Sequence, residues 1–171
     1  MAEKKAFYAG SFDPPTNGHL EIMRAGAELF EDFHVDIGLH PSKTYTFTLD
    51  ERIEMIETIT RDIPNIKVGS YCGKLLIEHA VDGGFTHIVR GIRTAKDLDD
   101  ERGYYRFGEH VDTSVQTILI PCATEFEIVS SSFVKGLMTS TDNWRTHVSR
   151  YVDPFVLEQL EFIDDVGMLK Y

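Results

Sequence analysis

Cysteine is scarce in this sequence: among 171 residues there are two, Cys72 and Cys122. They stand far apart and form no C-x-x-C pair, so the pattern indicates neither a disulfide framework nor a metal cluster. The histidines other than His19 also lack the spacing of metal ligands. We therefore expect two free thiols and no metal site built from protein side chains.

Long apolar stretches are also missing. The chain starts Met-Ala-Glu-Lys-Lys and then enters a short apolar run, which does not resemble the charged-then-apolar pattern of a secretory leader. No segment approaches the length of a membrane-spanning helix. These absences favour a soluble, cytoplasmic protein.

Positive charge is scarce too. Lys and Arg number 17 against 28 Asp and Glu, which gives a formal net charge of -11. Nucleic acids and acidic membranes are bound through broad basic surfaces, so we expect neither as a partner. A small phosphorylated ligand remains compatible if the few cations gather around it, and Lys43, Arg90 and Arg93 are the candidates.

Short apolar runs alternate with segments of helical periodicity along the chain. The predicted strands are Ala6 to Ala9, Val35 to Leu39, Ile66 to Tyr71, His87 to Val89 and Ser114 to Ile120. The predicted helices are Leu20 to Phe30, a segment from Leu49 to Ile63 capped by Thr48 and Glu51, Lys74 to Val81, a stretch from about Ala95, and Ser130 to Ile163 with a break near Asp153-Pro154.

Strands and helices that alternate at this spacing predict a parallel sheet, because parallel neighbours need a crossover connection. The length and the 42% hydrophobic content are typical of one domain. We predict a single α/β domain over residues 1–171. It is a Rossmann-like, doubly wound, parallel five-stranded sheet with helices on both faces and a helical C-terminal part.

Ligands of such sheets bind beyond the carboxyl ends of the strands. Four groups of polar residues follow predicted strand ends: Ser11, Lys43, Arg90 to Arg93, and Ser130 to Ser132. Taken alone, each of them can be explained without a ligand, as a solvated charge, a basic turn or a helix cap. Their joint placement at one edge of the sheet favours a binding site.

The turn after the first strand reads Gly10-Ser11-Phe12-Asp13-Pro14-Pro15-Thr16-Asn17-Gly18-His19. The glycine allows close approach of the backbone, the prolines stiffen the turn, and Thr16 or Asn17 can cap the next helix. The positive end of that helix is suited to a phosphate, and an imidazole there can donate to a phosphoryl oxygen. The turn therefore indicates phosphoryl chemistry.

This segment resembles the signature of the nucleotidyltransferase superfamily, in its T-x-G-H form. Within it the chain most resembles the phosphopantetheine adenylyltransferase family. The resemblance covers nearly the whole chain and is carried by four further segments in the family's order: Pro41-Ser42-Lys43 with Phe47 to Arg52, Arg90-Gly91-Ile92-Arg93, Asp97 with Glu101, and Val129 to Ser132.

The resemblance implies transfer of the adenylyl group of ATP to 4′-phosphopantetheine, giving dephospho-coenzyme A and pyrophosphate. His19 would donate to the α-phosphate, and Lys43 and Arg90 would hold the acceptor phosphate. Ser11 would bridge acceptor and nucleotide, and Leu76 would touch the pantetheine arm.

The remaining residues implied for ATP fall into two groups. Arg93 and the Ser130 to Ser132 helix start would bind the β- and γ-phosphates. Phe12, Gly91 and Glu101 would line the adenosine site, with Ile92, Phe126, Glu127, Ile128 and Val129 nearby. The resemblance also implies Mg²⁺ on the ATP phosphates and a homo-oligomer, a hexamer.

The chain departs from the family pattern at three places. Ala9 stands where proline is common, and the acid matched to Glu101 follows Asp100 instead of an aromatic residue. The segment Gly103 to Gly108 lacks the usual Met and Asn. These departures leave two alternatives open, nicotinate mononucleotide adenylyltransferase or another small-molecule nucleotidyltransferase, and a non-catalytic nucleotide-binding regulatory module. Thr16, where the first alternative normally has histidine, and Arg90 to Arg93 favour phosphopantetheine as acceptor.

Overall fold

Apolar side chains alternate between the two faces of the first strand, because successive residues of a strand point to opposite sides. Ala6 and Tyr8 join one core cluster, with Ile22 of the following helix, while Phe7 and Ala9 join another. Both faces of the sheet must therefore be covered, which requires helices on both sides.

The computed structural model of the protein describes residues 4–167, apart from the side chains of Tyr104 and Glu109. The ends of the predicted domain, residues 1–3 and 168–171, lie outside the described residues. The strands are β1 (Lys5–Gly10), β2 (Asp32–Leu39), β3 (Ile66–Cys72), β4 (His87–Ile92) and β5 (Gln116–Pro121). The helices are α1 (Asn17–Leu29), α2 (Leu49–Ile59), α3 (Leu76–Asp82), α4 (Ala95–Val111), α5 (Ser131–Ser140), α6 (Trp144–Val148) and α7 (Pro154–Asp165).

The five strands form one parallel sheet in the order β3-β2-β1-β4-β5. The strand order reverses between β1 and β4, so the crevice beyond their carboxyl ends is the expected ligand site. Residues of α1 and α2 pack on one face of the sheet, and those of α3 on the other. This confirms the predicted doubly wound α/β fold.

The C-terminal part forms a core of its own against α2. Met55 and Ile59 of α2 pack with Val134, Val148 and Leu160 of the last three helices. The sequence predicted one break in this part, at Asp153-Pro154, and Asp153 does cap α7. A second break was missed: Thr141 is extended and ends α5 ahead of the short helix α6.

Several other predicted boundaries were wrong as well. Helix α1 begins at Asn17 and not at Leu20, and α2 ends at Ile59 and not at Ile63. Strand β2 begins at Asp32 and not at Val35, and β5 begins at Gln116 and not at Ser114. Helix α3 begins at Leu76, whereas the sequence predicted Lys74, because Gly73 has a left-handed φ of 69° and the chain is still turning there. Strand β4 continues to Ile92, so Arg90 and Gly91 belong to the strand and do not follow it.

Among residues 4–167, no helix has both the length and the apolar character that crossing a lipid bilayer requires.

Candidate active site at the carboxyl edge of the sheet

The turn after β1 places the Phe12 ring beneath the backbone of Gly10. A Cβ at Gly10 would lie 2.8 Å from that ring, so only glycine fits there. Phe12 has a positive φ of 46°, and its ring is buried between Tyr8 and His19 at centroid distances of 5.4 and 5.2 Å. The Phe12 ring thus packs against the backbone of the turn and against one side of the His19 imidazole.

Thr16 and His19 form a reciprocal cap at the start of α1. The Thr16 hydroxyl oxygen accepts from the His19 backbone N–H at 3.4 Å, and His19 Nδ1 accepts from the Thr16 backbone N–H at 3.0 Å. Because a backbone N–H can only donate, Nδ1 must present its lone pair. The neutral ring therefore carries its proton on Nε2, which remains available as a donor.

The same environment keeps this imidazole neutral. Burial, helped by the nearby Arg93 guanidinium, lowers the pKa of His19 to about 4 from its ordinary 6.5. Burial also raises the pKa of the neighbouring Tyr8 phenol to about 12, so that group is neutral as well. At neutral pH His19 is thus an uncharged donor, held in one tautomer before any ligand arrives.

We expect the His19 ring resonances of the ligand-free protein to stay constant from pH 8 to about pH 5 and to titrate with a midpoint near 4. Since the unfolded chain takes up this proton near pH 6.5, the contribution of His19 to stability is full above that pH and is lost as the pH falls towards 4. NMR of histidine-labelled protein, assigned by the signal missing in His19→Ala, measures the midpoint. A midpoint near 6.5 would contradict the described environment.

Asp13 ties the turn to two distant segments. Its carboxylate is buried and accepts from the backbone N–H groups of Thr46 and Phe47 at 2.9 to 3.1 Å. Lys135 Nζ of α5 donates to Asp13 Oδ2 at 2.9 Å and to the Thr46 hydroxyl at 3.3 Å. Arg52 of α2 adds a bond to the Ser11 carbonyl at 2.8 Å. Turn, loop and helix are thereby held as one unit.

Replacing Lys135 by methionine is expected to lower the free energy of unfolding by about 2 kcal/mol, because it removes the ion-pair partner of the buried Asp13 carboxylate. Chemical denaturation measures this difference. The matched control is Lys96→Met, since Lys96 is exposed on α4. Equal stability of the two variants would show that the Asp13 bond contributes nothing measurable.

A cavity of about 440 Å³ opens beside His19, and we call it the central cavity. It lies between the ends of β1 and β4, the first turn of α1 and the first turn of α5. Its lining comprises Tyr8, Ala9, Gly10, Ser11, Gly18, His19, Ile22, Arg90, Gly91, Arg93, Asp97, Asp100, Glu101, Cys122, Phe126, Val129, Ser130, Ser131 and Ser132.

Two helix N-termini face this cavity, which gives it donors for an anion. The Ser130 hydroxyl caps α5 through the Phe133 N–H, and Ser131 Oγ donates to the Pro14 carbonyl at 2.7 Å. Arg93 donates through Nη1 to the Val129 carbonyl and through Nε to Asp97 Oδ2, both at 3.2 Å. Arg93 is thus held over the start of α5.

A second cavity of about 290 Å³, the side cavity, lies beyond the ends of β2 and β3. Its lining comprises Ala9, Gly10, Ser11, Gly38, Leu39, His40, Lys43, Tyr45, Tyr71, Lys74, Leu76, Arg90 and Glu101. It holds Lys43, Lys74 and Arg90 beside apolar and aromatic walls. Such a lining suits a ligand with an anionic end and a less polar body.

Arg90 and Glu101 stand at the boundary between the two cavities and line both. Arg90 donates to the Glu101 carboxylate through Nε at 2.9 Å and through Nη2 at 2.6 Å, and Nη1 donates to the Ala9 carbonyl at 3.1 Å. A paired, planar guanidinium of this kind holds its orientation and still has N–H groups for an anion.

The predicted site residues gather at this edge of the sheet. Most residues predicted for ATP line the central cavity, and all four predicted for the acceptor line the side cavity. Four of those predicted for ATP are not part of the lining: Phe12, Ile92, Glu127 and Ile128. The Phe12 ring is buried, so its contact with a ligand can come only from its backbone, and Glu127 and Ile128 are exposed.

Several contributors were missed by the sequence reasoning. Lys135 and Asp13 are 122 positions apart, and no local pattern relates them. Tyr45, Tyr71 and Lys74 also line the side cavity without having been predicted there. The only available signal was their position next to predicted strand ends.

Comparison with known proteins gives the same family as the motifs. The model described as cytidylyltransferase-like matches residues 7–136. The phosphopantetheine adenylyltransferase of Neisseria meningitidis serogroup C is 38% identical over 159 residues, 92% of each chain. That of Chromobacterium violaceum is 36% identical over 149 residues, 87% of this chain and 90% of the relative.

A solved structure of similar fold is the nicotinic acid mononucleotide adenylyltransferase of Plasmodium falciparum complexed with NaAD, with a TM-score of 0.66. It covers 94% of this chain and 96% of its own at 16% identity, which shows the fold alone. The sequence relatives are far more similar and match nearly end to end. The chain therefore belongs to the phosphopantetheine adenylyltransferase family, within the cytidylyltransferase-like proteins.

Proposed function

We propose that the protein transfers the adenylyl group of ATP to 4′-phosphopantetheine, with dephospho-coenzyme A and pyrophosphate as products. The observation that carries the proposal is the shared wall of the two cavities, formed by Ala9, Gly10, Ser11, Arg90 and Glu101. A nucleotide in the central cavity and an acceptor in the side cavity would bring their phosphates together at this wall.

The reaction needs no general base. An oxygen of the acceptor phosphate, already ionised at neutral pH, attacks the α-phosphorus, and the bond from that phosphorus to the bridging oxygen of pyrophosphate breaks. Catalysis then consists of positioning and charge stabilisation. Lys43 and Arg90 would hold the acceptor phosphate, and Ser11 would lie between both substrates.

His19 would donate from Nε2 to an α-phosphate oxygen as charge develops on it. Its neutral state and fixed tautomer support this role, because the ring needs no reorganisation before the reaction. Arg93 and the start of α5 would bind the β- and γ-phosphates of ATP and the leaving pyrophosphate.

We propose that Mg²⁺ binds together with ATP, where it would neutralise part of the negative charge on the phosphates. Three carboxylates line the central cavity; Asp97 accepts from Arg93 and Glu101 from Arg90, which leaves Asp100 as the one without an arginine partner among the described residues. The donor set therefore fits an ion held mainly by phosphate oxygens and water, with few direct protein ligands.

A homo-oligomer, a hexamer by family resemblance, is proposed as the working assembly. Large apolar side chains are exposed on α4 and at the edge strand β5, among them Leu98, Phe107, Val111 and Leu119. Covering them with another copy would remove this surface from water. Light scattering should give a mass several times 19.5 kDa, and a mass near 19.5 kDa would reject the assembly.

A pyrophosphate-release assay tests the choice of acceptor. With ATP and Mg²⁺ present, we expect release with 4′-phosphopantetheine and none above background with nicotinate mononucleotide or with no acceptor. The reverse preference would overturn the proposal in favour of the alternative acceptor. No release with either acceptor would favour a non-catalytic nucleotide-binding module.

A further inference from the structure

Tyr71 stands near the carboxyl end of β3 and is part of the lining of the side cavity. Its register partner on β2 is Gly38, and a Cβ at that position would lie 3.0 Å from the Tyr71 hydroxyl oxygen. The glycine thus leaves room for the phenol at the end of the sheet. Arg90 is close enough to act electrostatically on the same phenol.

The two tyrosines of this cavity differ in what their hydroxyl groups do. The Tyr45 hydroxyl accepts from the His40 backbone N–H at 2.8 Å and lies 3.5 Å from the Gly38 carbonyl. No protein hydrogen bond engages the Tyr71 hydroxyl within residues 4–167, and the group is not sealed from solvent. Burial raises its pKa, so it is a neutral O–H donor at physiological pH.

The Tyr71 ring is held by residues that are not part of the cavity lining. His79 of α3 stacks on it with a centroid distance of 4.2 Å and an interplanar angle of 10°. His79 Nε2 is bonded to Asp36 Oδ2 at 2.7 Å, and Asp36 is buried inside β2 at 3% exposure. Phe7 meets the imidazole edge-on at 5.1 Å. The imidazole is therefore fixed on three sides, and the tyrosine ring rests on it.

We propose that Tyr71 is a further acceptor-binding residue, whose phenolic O–H donates to an oxygen of the acceptor in the side cavity. Asp36 and His79 are positioning residues that hold the ring in place. The inference rests on the proposed function for the identity of the acceptor, which presents phosphate, hydroxyl and amide oxygens. A preoriented phenol gives up little conformational entropy on binding, which makes it an effective donor.

Tyr71→Phe tests the hydroxyl, because it removes one atom and keeps the ring. We expect KM for 4′-phosphopantetheine to rise about fivefold, the effect of one neutral hydrogen bond, with kcat and KM for ATP within twofold of wild type. The control is Tyr151→Phe, whose ring packs on Phe133 outside both cavities. It should leave all three constants unchanged.

The positioning role is tested by His79→Ala, with Val81→Ala on an exposed part of the same helix as its control. His79→Ala should raise KM for the acceptor about as much as Tyr71→Phe does. In the Tyr71→Phe background, His79→Ala should raise that KM little further. If His79 had a purely structural role, His79→Ala would change KM for both substrates together. Its effect on KM would then add fully to that of Tyr71→Phe in the double variant.

The results of these experiments distinguish a failure of the inference about Tyr71 from a failure of the proposed function. If wild-type protein turns over 4′-phosphopantetheine and Tyr71→Phe has the same KM for it, the inference is wrong and the function stands. If KM for ATP rises as much as KM for the acceptor, the inference is also wrong. If wild-type protein does not turn over 4′-phosphopantetheine, the proposed function fails and the inference fails with it.

Discussion

Replacing His19 by alanine is expected to lower kcat by about 100- to 1,000-fold, the range for loss of one donor to a developing negative charge. The dissociation constant for ATP should change by less than about threefold, because the charge on the α-phosphate oxygens grows mainly in the transition state. Steady-state kinetics and calorimetric titration with ATP measure the two quantities.

The structure also supplies a control for this experiment. His147 is exposed near the end of α6, and His147→Ala should leave kcat unchanged. Since the His19 ring also caps α1, the thermal midpoint of each variant should be recorded alongside. A folded His19→Ala protein with kcat within threefold of wild type would contradict the role given to His19.

Replacing Arg90 by lysine is expected to lower kcat/KM for 4′-phosphopantetheine by about 100-fold. Lysine keeps the charge but cannot donate to both Glu101 oxygens and to the Ala9 carbonyl at once. The ammonium is then free to approach Glu101 alone. The two charge-assisted bonds that the guanidinium would donate to the acceptor phosphate, about 1.5 kcal/mol each, are lost. Steady-state kinetics with varied acceptor at saturating ATP measure the effect.

Arg61→Lys is the matched control, because Arg61 is exposed just after α2 and lines neither cavity. It should retain wild-type kcat/KM. If Arg90→Lys is as active as this control, the acceptor phosphate does not depend on the guanidinium. A fall in the apparent affinity for ATP alone would place Arg90 with the nucleotide instead.

The fold was predictable because its signals are local. Thr48 and Glu51 form the predicted capping box, and five apolar runs become five parallel strands. The cations and serines at strand ends meet at one edge because parallel strands end together. The second break in the C-terminal part was missed, since Thr141 and Asn143 interrupt the helical pattern without proline or glycine.

The site was predictable only as a list of residue types. The capping interaction of Thr16 with the His19 ring needs the actual path of the turn, and that interaction fixes the tautomer. The bond from Lys135 to Asp13 and the stack of His79 on Tyr71 depend on how helices dock on the sheet. Sequence spacing does not determine such long-range pairs, whereas the fold brings them within bonding distance.

The most direct test of the proposed function uses 4′-phosphopantetheine whose three terminal phosphate oxygens are ¹⁸O, incubated with ATP and Mg²⁺. Mass spectrometry should find dephospho-coenzyme A carrying all three labelled oxygens and pyrophosphate carrying none, because an acceptor oxygen becomes the new bridge to the α-phosphorus. Unlabelled dephospho-coenzyme A or labelled pyrophosphate would contradict direct attack. If no dephospho-coenzyme A forms and nicotinate mononucleotide is adenylylated in a parallel reaction, 4′-phosphopantetheine is not the acceptor.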